Sequence, residues 1–236
     1  MSALKQAVAK KGVLKVFTDP VSPYSMCALY SLTQYEQRLP VQLDFRTVFN
    51  PAIIRASSSF PSGKRVIALV ADNRPASENE LKLKQWEKDL NLRASYWGFP
   101  YRSLTNFNER ILKKHASSAC RLLTAARRVS TETQRAAMRV LYHRLFFEDK
   151  DIFSEEEVRA ALDAVEFPNR ERLFQLMKTK EIKEELHKNT DEALKHGAFG
   201  VPWLVLERED EPDFEGPLFE DRPQFAEHHD RPVHPE

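Results

Sequence analysis

The chain has 236 residues, 42% hydrophobic and 30% charged, a composition typical of a globular protein with a sizeable core. Lysine and arginine total 36 against 35 aspartate and glutamate, and a formal net charge of +1 gives no sign of a nucleic-acid or membrane-surface partner. With only six glycines and no GxGxxG or Walker-type loop, a glycine-rich nucleotide site is not expected, and no apolar run approaches the roughly 18 residues that a membrane span needs.

The first elements follow a strand-helix-strand pattern. Alternating apolar residues predict a strand over Leu14–Thr18, and helical spacing predicts a helix from Pro23 to about Arg38, which Pro40 stops. Apolar and polar residues alternate again over Val41–Val48, which predicts a second strand. A right-handed β-α-β unit is therefore expected at the start of the chain.

The middle of the chain carries mostly helix signals. Capping boxes begin at Ser77 and at Ser154, and Gly197 is placed to end the last helix of this region. The serine-rich stretch Ala56–Gly63 is predicted as a flexible loop before the helices. The predicted helices are Ser77–Asn91, Leu104–Arg128, Glu132–Phe147, Ser154–Ala164, Asn169–Met177 and Lys180–His196.

The last part returns to strand signals. Trp203–Leu206 is an apolar strand, an acidic turn predicts a hairpin into Phe214–Phe219, and Pro223–His229 is a candidate short helix. The order β-α-β, helices, β-β-α predicts one α/β sheet layer divided by an all-helical insertion. We accordingly assign residues 1–49 and 197–236 to a discontinuous sheet domain, and residues 50–196 to the helical insertion.

Two isolated cysteines, Cys27 and Cys120, are too few for a disulfide scaffold or a zinc site, and both are predicted to be buried thiols in a reducing compartment. The histidines show no metal-ligand spacing, so no metal is expected. Met1–Lys15 carries four lysines, no acidic residue and no arginine, which leaves a cytoplasmic or mitochondrial location open.

The stretch around Ser22 combines features of a helix start. Ser22 stands at a cap position, and Pro23 follows at the first helical position. Free backbone N–H groups and the positive end of the helix dipole make such a start suited to an anion, and a thiolate is an anion. A plain N-cap after a strand is the alternative interpretation of Ser22. Cys27 would point about 100° away from Ser25 on the helix, which favours the core for this thiol.

Two segments resemble one known family. Ser22-Pro23-Tyr24-Ser25 and Gly197-Ala198-Phe199-Gly200-Val201-Pro202 are similar to the signatures of the kappa-class glutathione transferase and 2-hydroxychromene-2-carboxylate isomerase family, whose members have a DsbA-like thioredoxin fold. Phe219-Glu220-Asp221-Arg222 resembles the Phe-Gly-Ser-Asp-Arg segment of that family. The resemblance extends from about Leu14 to Ala226 and implies a thioredoxin-like (DsbA-like) sheet with a large all-helical insertion.

The resemblance also implies roles for residues at both ends of the chain. The serine that matches Ser22 hydrogen-bonds the glutathione sulfur, and the residue before a cis-proline, here Val201, pairs its backbone with the cysteinyl unit. A carboxylate matching Asp221 contacts the γ-glutamyl amine, and the asparagine of the family falls near Ser59. Glutathione is thus the expected co-substrate, with the glutathione-binding set Ser22, Ser59, Val201, Pro202, Asp221 and Arg222.

Three functions are compatible with these residues. The first is a kappa-class-type glutathione transferase in which Ser22 activates the thiolate for attack on small electrophiles or peroxides. The second is a glutathione-dependent isomerase of the 2-hydroxychromene-2-carboxylate type, and the third is a non-catalytic thioredoxin-like binding protein. Serine at both ends of the motif, Ser22 and Ser25, disfavours a dithiol oxidoreductase. The family resemblance implies a homodimer.

Overall fold

A computed structural model describes residues 11–58, 80–106, 108–112, 114–208 and 214–217. Four strands and eight α-helices lie in these ranges, with one π-helical turn at Asn108–Leu112. The strands are β1 (Gly12–Thr18), β2 (Gln42–Thr47), β3 (Trp203–Arg208) and β4 (Phe214–Pro217). The helices are α1 (Pro23–Tyr35), α2 (Asn50–Ser58), α3 (Glu80–Trp97), α4 (Ser117–Val129), α5 (Thr131–Phe146), α6 (Glu155–Asp163), α7 (Arg170–Leu176) and α8 (Lys180–Lys195).

The sheet has the strand order β2-β1-β3-β4, so the first strand lies in the interior. β1 pairs in parallel with β2, where Val16 lies opposite Phe45. β1 pairs antiparallel with β3, where Phe17 lies opposite Trp203, and β3 pairs antiparallel with β4. The C-terminal end of β1 therefore lies beside the chain that enters β3, although about 180 residues separate them in sequence.

Helix α1 begins as the sequence predicts. Ser22 is its N-cap in an extended conformation, and Pro23 occupies the first turn, where its missing N–H costs nothing. The helix ends at Tyr35, because residues 36–40 form turns and bends in place of the predicted last helical turn. The first half of α1 is buried, including Met26, Cys27 and Leu29.

The segment after β2 differs from the prediction. Helix α2 begins at Asn50, so Ala56–Ser58 belong to a helix and the prediction of a loop there is wrong. Burial of Ile53, which is 0% exposed, overrides the serine-rich composition, because the apolar face of α2 packs toward α8. The Asn-Pro pair at the start of α2 is the sequence signal for this helix. The rest of the predicted loop, residues 59–63, lies outside the described ranges.

The single helix predicted over Leu104–Arg128 is also wrong. The segment divides into the π-helical turn and α4, with a bend between them. Arg110 of the turn donates to Asp151 at 2.6 Å and pairs with Asp149, which ties the turn to the segment between α5 and α6. Helical periodicity in the sequence does not predict these long-range ion pairs, which hold Arg110 in a turn separate from α4.

The remaining helices agree with the prediction to within a few residues. Ser130, Ser154 and Thr179 accept hydrogen bonds from backbone N–H groups at the starts of α5, α6 and α8. Gly197 follows α8 at φ +80°, a left-handed conformation that favours glycine. α3 extends to Trp97, and the Ser77 capping box and the helix predicted over Pro223–His229 lie outside the described residues.

One hydrophobic cluster joins the sheet to the helices. Its members are buried residues of β1, β2 and α1 together with those of α4, α5 and α6, including Val16, Phe45, Leu29, Leu123, Leu141, Tyr142 and Leu162. A second cluster on the opposite face of the sheet includes Phe17, Ile53, Ala193 and Trp203.

The structure confirms an α/β fold with a large helical insertion. Within the described part of the chain, no helix is long and apolar enough to cross a membrane. The two-domain division stays a prediction.

The capping box of α6 makes a small, measurable contribution to the free energy of unfolding. Ser154 Oγ accepts the Glu157 N–H at 3.1 Å, and Glu157 Oε2 accepts the Ser154 N–H at 2.8 Å. Because loss of an N-cap oxygen leaves a helix N–H unpaired, Ser154→Ala is expected to lower the free energy of unfolding by about 1 kcal/mol in urea unfolding. Ser154→Thr, which keeps the oxygen, should retain most of that stability, and equal losses in both variants would contradict the capping role.

Candidate functional site

The candidate site is the turn that joins β1 to α1. Ser22 Oγ accepts a hydrogen bond from the Ser25 N–H at 3.2 Å, as an N-cap does, and the side chain is 9% exposed. The Ser22 N–H donates to the Asp19 carbonyl at 3.1 Å, which closes the turn. The hydroxyl proton of Ser22 is not used in either bond, so it can be donated to an acceptor outside the helix.

That acceptor is Val201. Ser22 Oγ donates to the Val201 carbonyl at 3.2 Å, and the Val201–Pro202 peptide bond is cis. The contact follows from the sheet register, because Phe17 and Trp203 are paired and the two chains continue side by side beyond them. The structure thus brings together three of the predicted site residues: Ser22, Val201 and Pro202.

The dipole of α1 favours an anion at the start of this helix, whereas the Asp19 carboxylate beneath the turn acts against one. α1 has no acidic residue in its first turn, so nothing on the helix itself offsets the positive end of its dipole. Pro23 has no N–H, so the donors available to an anion are the backbone N–H groups of the residues that follow it. Such a helix start stabilises negative charge by roughly 0.3–1 kcal/mol, and more where water is excluded.

The second serine of the motif is structural. Ser25 is 0% exposed, and its Oγ accepts the Asp19 N–H at 3.2 Å. Cys27 and Cys120 are both 0% exposed, as predicted, and burial raises the pKa of the Cys27 thiol to about 12 and that of Cys120 well above its usual value. Neither thiol is a thiolate at neutral pH, so neither is suited to dithiol chemistry.

A buried carboxyl, Asp19, lies beneath the turn, and the sequence analysis assigned it no role. Its side chain is 1% exposed, and burial raises its pKa from 3.8 to about 6, although hydrogen bonds from the Val21 and Asn50 N–H groups act in the opposite direction. An acidic residue between an apolar strand and a capped helix start is an available sequence signal for such a group.

Tyr24 lies one residue into α1 and packs against α3. Its hydroxyl donates to Asp89 Oδ2 at 2.9 Å, its ring lies 6.1 Å from that of Trp86, and the Arg93 guanidinium lies 5.8 Å from its ring centroid. Burial and the Asp89 hydrogen bond raise the pKa of Tyr24, so its hydroxyl stays protonated.

Trp97 and Phe99 pack against aromatic side chains of α1. Trp97 forms an edge contact with Tyr35 at 5.6 Å between ring centroids, and Phe99 stacks on Tyr30 at 5.0 Å. Both contacts lie along α1, away from its N-terminus.

The other predicted glutathione contacts cannot be placed. Ser59, Asp221 and Arg222 lie outside the described residues, as does Glu220, so their roles stay predictions. Within the described ranges, no group of three or more His, Cys, Asp or Glu side chains is arranged to hold a metal ion.

The arrangement around Ser22 is suited to hydrogen-bond exchange. A serine hydroxyl has one proton and rotates freely, so it can donate either to the Val201 carbonyl or to a bound anion, but not to both. The Val201 carbonyl has two lone pairs, so it can accept an incoming N–H donor whether or not the Ser22 hydroxyl stays bonded to it. The site can therefore accept a ligand that carries an amide N–H next to an anionic sulfur.

Comparison with known proteins identifies relatives over most of the chain. A family model described as a DSBA-like thioredoxin domain matches residues 13–226. The chain is 26% identical over 194 residues to glutathione S-transferase kappa 2 of Caenorhabditis elegans, which covers 82% of this chain and 80% of the relative. It is 26% identical over 194 residues to glutathione S-transferase kappa 1 of Homo sapiens, which covers 81% of this chain and 80% of the relative.

A solved structure agrees with the family model. A 2-hydroxychromene-2-carboxylate isomerase superposes with a TM-score of 0.60 at 18% identity, and the match covers 86% of this chain and 87% of that chain. At this identity the superposition bears on the fold alone. Together with the family model, it confirms the prediction of a DsbA-like thioredoxin fold.

Proposed function

The chain belongs to the DSBA-like thioredoxin domain family, and from this premise we propose that it is a glutathione transferase of the kappa-class type. Relatives named as kappa-class glutathione S-transferases match about four-fifths of both chains, which supports the enzyme class. Ser22 would activate the glutathione thiolate for attack on small electrophiles or peroxides. No metal is required for this chemistry.

The hydrogen bond from Ser22 to the Val201 carbonyl is the observation that carries the proposal. Glutathione has an amide N–H on its cysteinyl unit, next to the thiol. When that N–H donates to the Val201 carbonyl, as a strand edge would, the Ser22 hydroxyl is free to turn its proton to the sulfur. The carbonyl that holds the tripeptide therefore lies 3.2 Å from the hydroxyl that would stabilise its thiolate.

The hydroxyl and the helix start act on one equilibrium, the ionisation of the thiol. A free thiol has a pKa near 8.5, so most of it is protonated at about pH 7. A hydrogen bond to a charged group stabilises it by about 1.5–3 kcal/mol, which lowers the thiol pKa by roughly one to two pH units. With a carbon electrophile, the sulfur bonds to the carbon and the leaving group departs with its electron pair. With a peroxide, the sulfur bonds to one oxygen as the O–O bond breaks and an alcohol leaves, and a second glutathione converts the resulting sulfenic acid to the disulfide and water.

Two alternatives use the same turn. An isomerase would add the thiolate reversibly to a conjugated acid, and the superposed isomerase supports this alternative through its fold only. A non-catalytic binding protein would hold glutathione or a peptide at Val201 without activating a thiol. The relatives named as transferases favour the first proposal. We further propose a small electrophilic second substrate, a homodimer and a reducing cytoplasmic or mitochondrial compartment.

Glutathione binding is the test of the proposed function. Calorimetric titration with glutathione up to millimolar concentration is expected to show binding, and S-methylglutathione, which cannot form a thiolate, should bind more weakly. Turnover is then measured with chlorodinitrobenzene and with an organic hydroperoxide as electrophiles. Absence of binding at millimolar glutathione would contradict both enzyme proposals, whereas binding with neither turnover nor a lowered thiol pKa would favour the binding protein.

A further inference from the structure

Asp19 bonds to more separate parts of the fold than any other polar residue of the turn. Its Oδ1 accepts the Val21 N–H at 2.8 Å, and its Oδ2 accepts the Asn50 N–H at 2.9 Å. One oxygen thus holds the turn before Ser22, and the other holds the start of α2. The carboxylate thus extends the connection between the two chains three residues beyond the last parallel pair of β1 and β2, Thr18 with Thr47.

The backbone of Asp19 adds three more bonds. Its N–H donates to Ser25 Oγ at 3.2 Å, and its carbonyl accepts from the Ser22 N–H at 3.1 Å and from the Tyr142 hydroxyl at 3.4 Å. Through these bonds Asp19 contacts the N-terminal turn of α1 and the middle of α5. The position of the Ser22 backbone is therefore set from α1, α2 and α5 through one residue.

We propose that Asp19 is the positioning residue of the site: its carboxylate, by accepting from Val21 and Asn50 together, fixes the turn that aims the Ser22 hydroxyl at the Val201 carbonyl and the bound sulfur. Only a carboxylate of this size offers two acceptor oxygens. An amide in the same place accepts with one oxygen and leaves one of the two N–H groups unpaired, at a cost of about 1–3 kcal/mol for a buried group.

Protonation of Asp19 also weakens one of the bonds from the Val21 and Asn50 N–H groups, because a carboxylic acid is a weaker acceptor at its protonated oxygen. The groups that face Asp19 within the described chain are the Cys120 thiol of α4, whose sulfur lies 4.0 Å from Oδ2, and the Tyr142 phenol of α5. Burial raises the pKa of both groups well above their usual values. The elements α1 and α2 present a Ser25 hydroxyl and a backbone N–H, which do not ionise. Asp19 is therefore the group of this cluster that titrates in weakly acidic solution.

The first test uses the protein without glutathione, so it does not depend on the proposed function. Backbone amide signals of Val21, Ser22 and Asn50 are followed by NMR from about pH 4 to about pH 8. We expect the three signals to move with one common midpoint near pH 6, to stop moving in Asp19→Asn, and to move unchanged in Asp44→Asn, whose carboxylate pairs with Arg46 and Arg127. Separate midpoints, or signals that do not move in the wild type, would overturn the proposal even if Asp19→Asn fails to fold.

The second test rests on the proposed function. In the wild type, log(kcat/KM) for glutathione is expected to fall below pH 6 with a slope greater than one, since protonation of Asp19 weakens the site in addition to the loss of thiolate. Asp19→Asn should lower kcat/KM by about 10- to 100-fold at neutral pH and should reduce the acid slope to one, whereas Asp44→Asn should keep both the wild-type kcat/KM and the steeper acid slope. An acid slope in Asp19→Asn as steep as that of the wild type would overturn the positioning role, and absence of any glutathione binding would overturn the proposed function while the NMR result stands.

Discussion

Ser22→Ala is expected to raise the pKa of the bound glutathione thiol by about one to two pH units and to lower kcat/KM near neutral pH by about 10- to 100-fold. The variant removes the donor that would turn from the Val201 carbonyl to the sulfur, while the Val201 carbonyl stays available to the cysteinyl N–H. Glutathione affinity should therefore change much less than turnover. Thiolate absorbance of the bound tripeptide as a function of pH measures the pKa, and calorimetry measures the affinity.

The variant also removes a helix cap, and its effect on folding has to be separated from its effect on the thiol. Loss of the bond from Ser22 to the Ser25 N–H is expected to cost about 1 kcal/mol of unfolding free energy. Ser31→Ala is a matched control, because Ser31 is a buried serine of the same helix whose hydroxyl donates to the Ala28 carbonyl of that helix at 3.4 Å. A thiol pKa that is equal in the wild type and in Ser22→Ala would contradict activation by Ser22.

A second large effect is expected in the pH dependence of stability, and it comes from Asp19. Burial raises the pKa of this carboxyl from 3.8 to about 6, so the folded protein binds the proton more tightly than the unfolded chain does. The stabilisation from that proton is fully present below about pH 4 and is lost as the pH rises through 6. At 1.36 kcal/mol per pH unit of pKa difference, the loss amounts to about 3 kcal/mol.

Asp19→Asn does not titrate, so the difference in unfolding free energy between wild type and variant isolates this term. Urea unfolding from about pH 3 to about pH 7 should show the wild type losing about 3 kcal/mol relative to Asp19→Asn. Parallel curves would contradict a buried, titrating Asp19.

Asp149 provides a contrast of opposite sign. Burial acts to raise its pKa, but hydrogen bonds from Thr105 and Arg110 hold the pKa below its usual value. The stabilisation from its ionised form is present above the unfolded pKa and is lost as the pH falls, so relative to Asp149→Asn the wild type should lose stability on acidification.

Local chemistry made several features predictable. The cap at Ser22, the capping box at Ser154 and the left-handed Gly197 each depend on residues a few positions apart, and each is present in the structure. The burial of Cys27 followed from helix geometry alone. The failures came where distant residues compete with local periodicity, as Asp149 and Asp151 do for Arg110.

The sequence by itself determined the capped helix start at Ser22, because capping acts within one turn. Tertiary structure alone decided what surrounds that start. Sheet register places the Val201 carbonyl 3.2 Å from Ser22 Oγ, across 179 positions of sequence. The fold also encloses Asp19 between the Val21 and Asn50 N–H groups. Burial at this position raises the pKa of the carboxyl from 3.8 to about 6. Pairing and desolvation depend on which distant segments meet, and that depends on the fold as a whole.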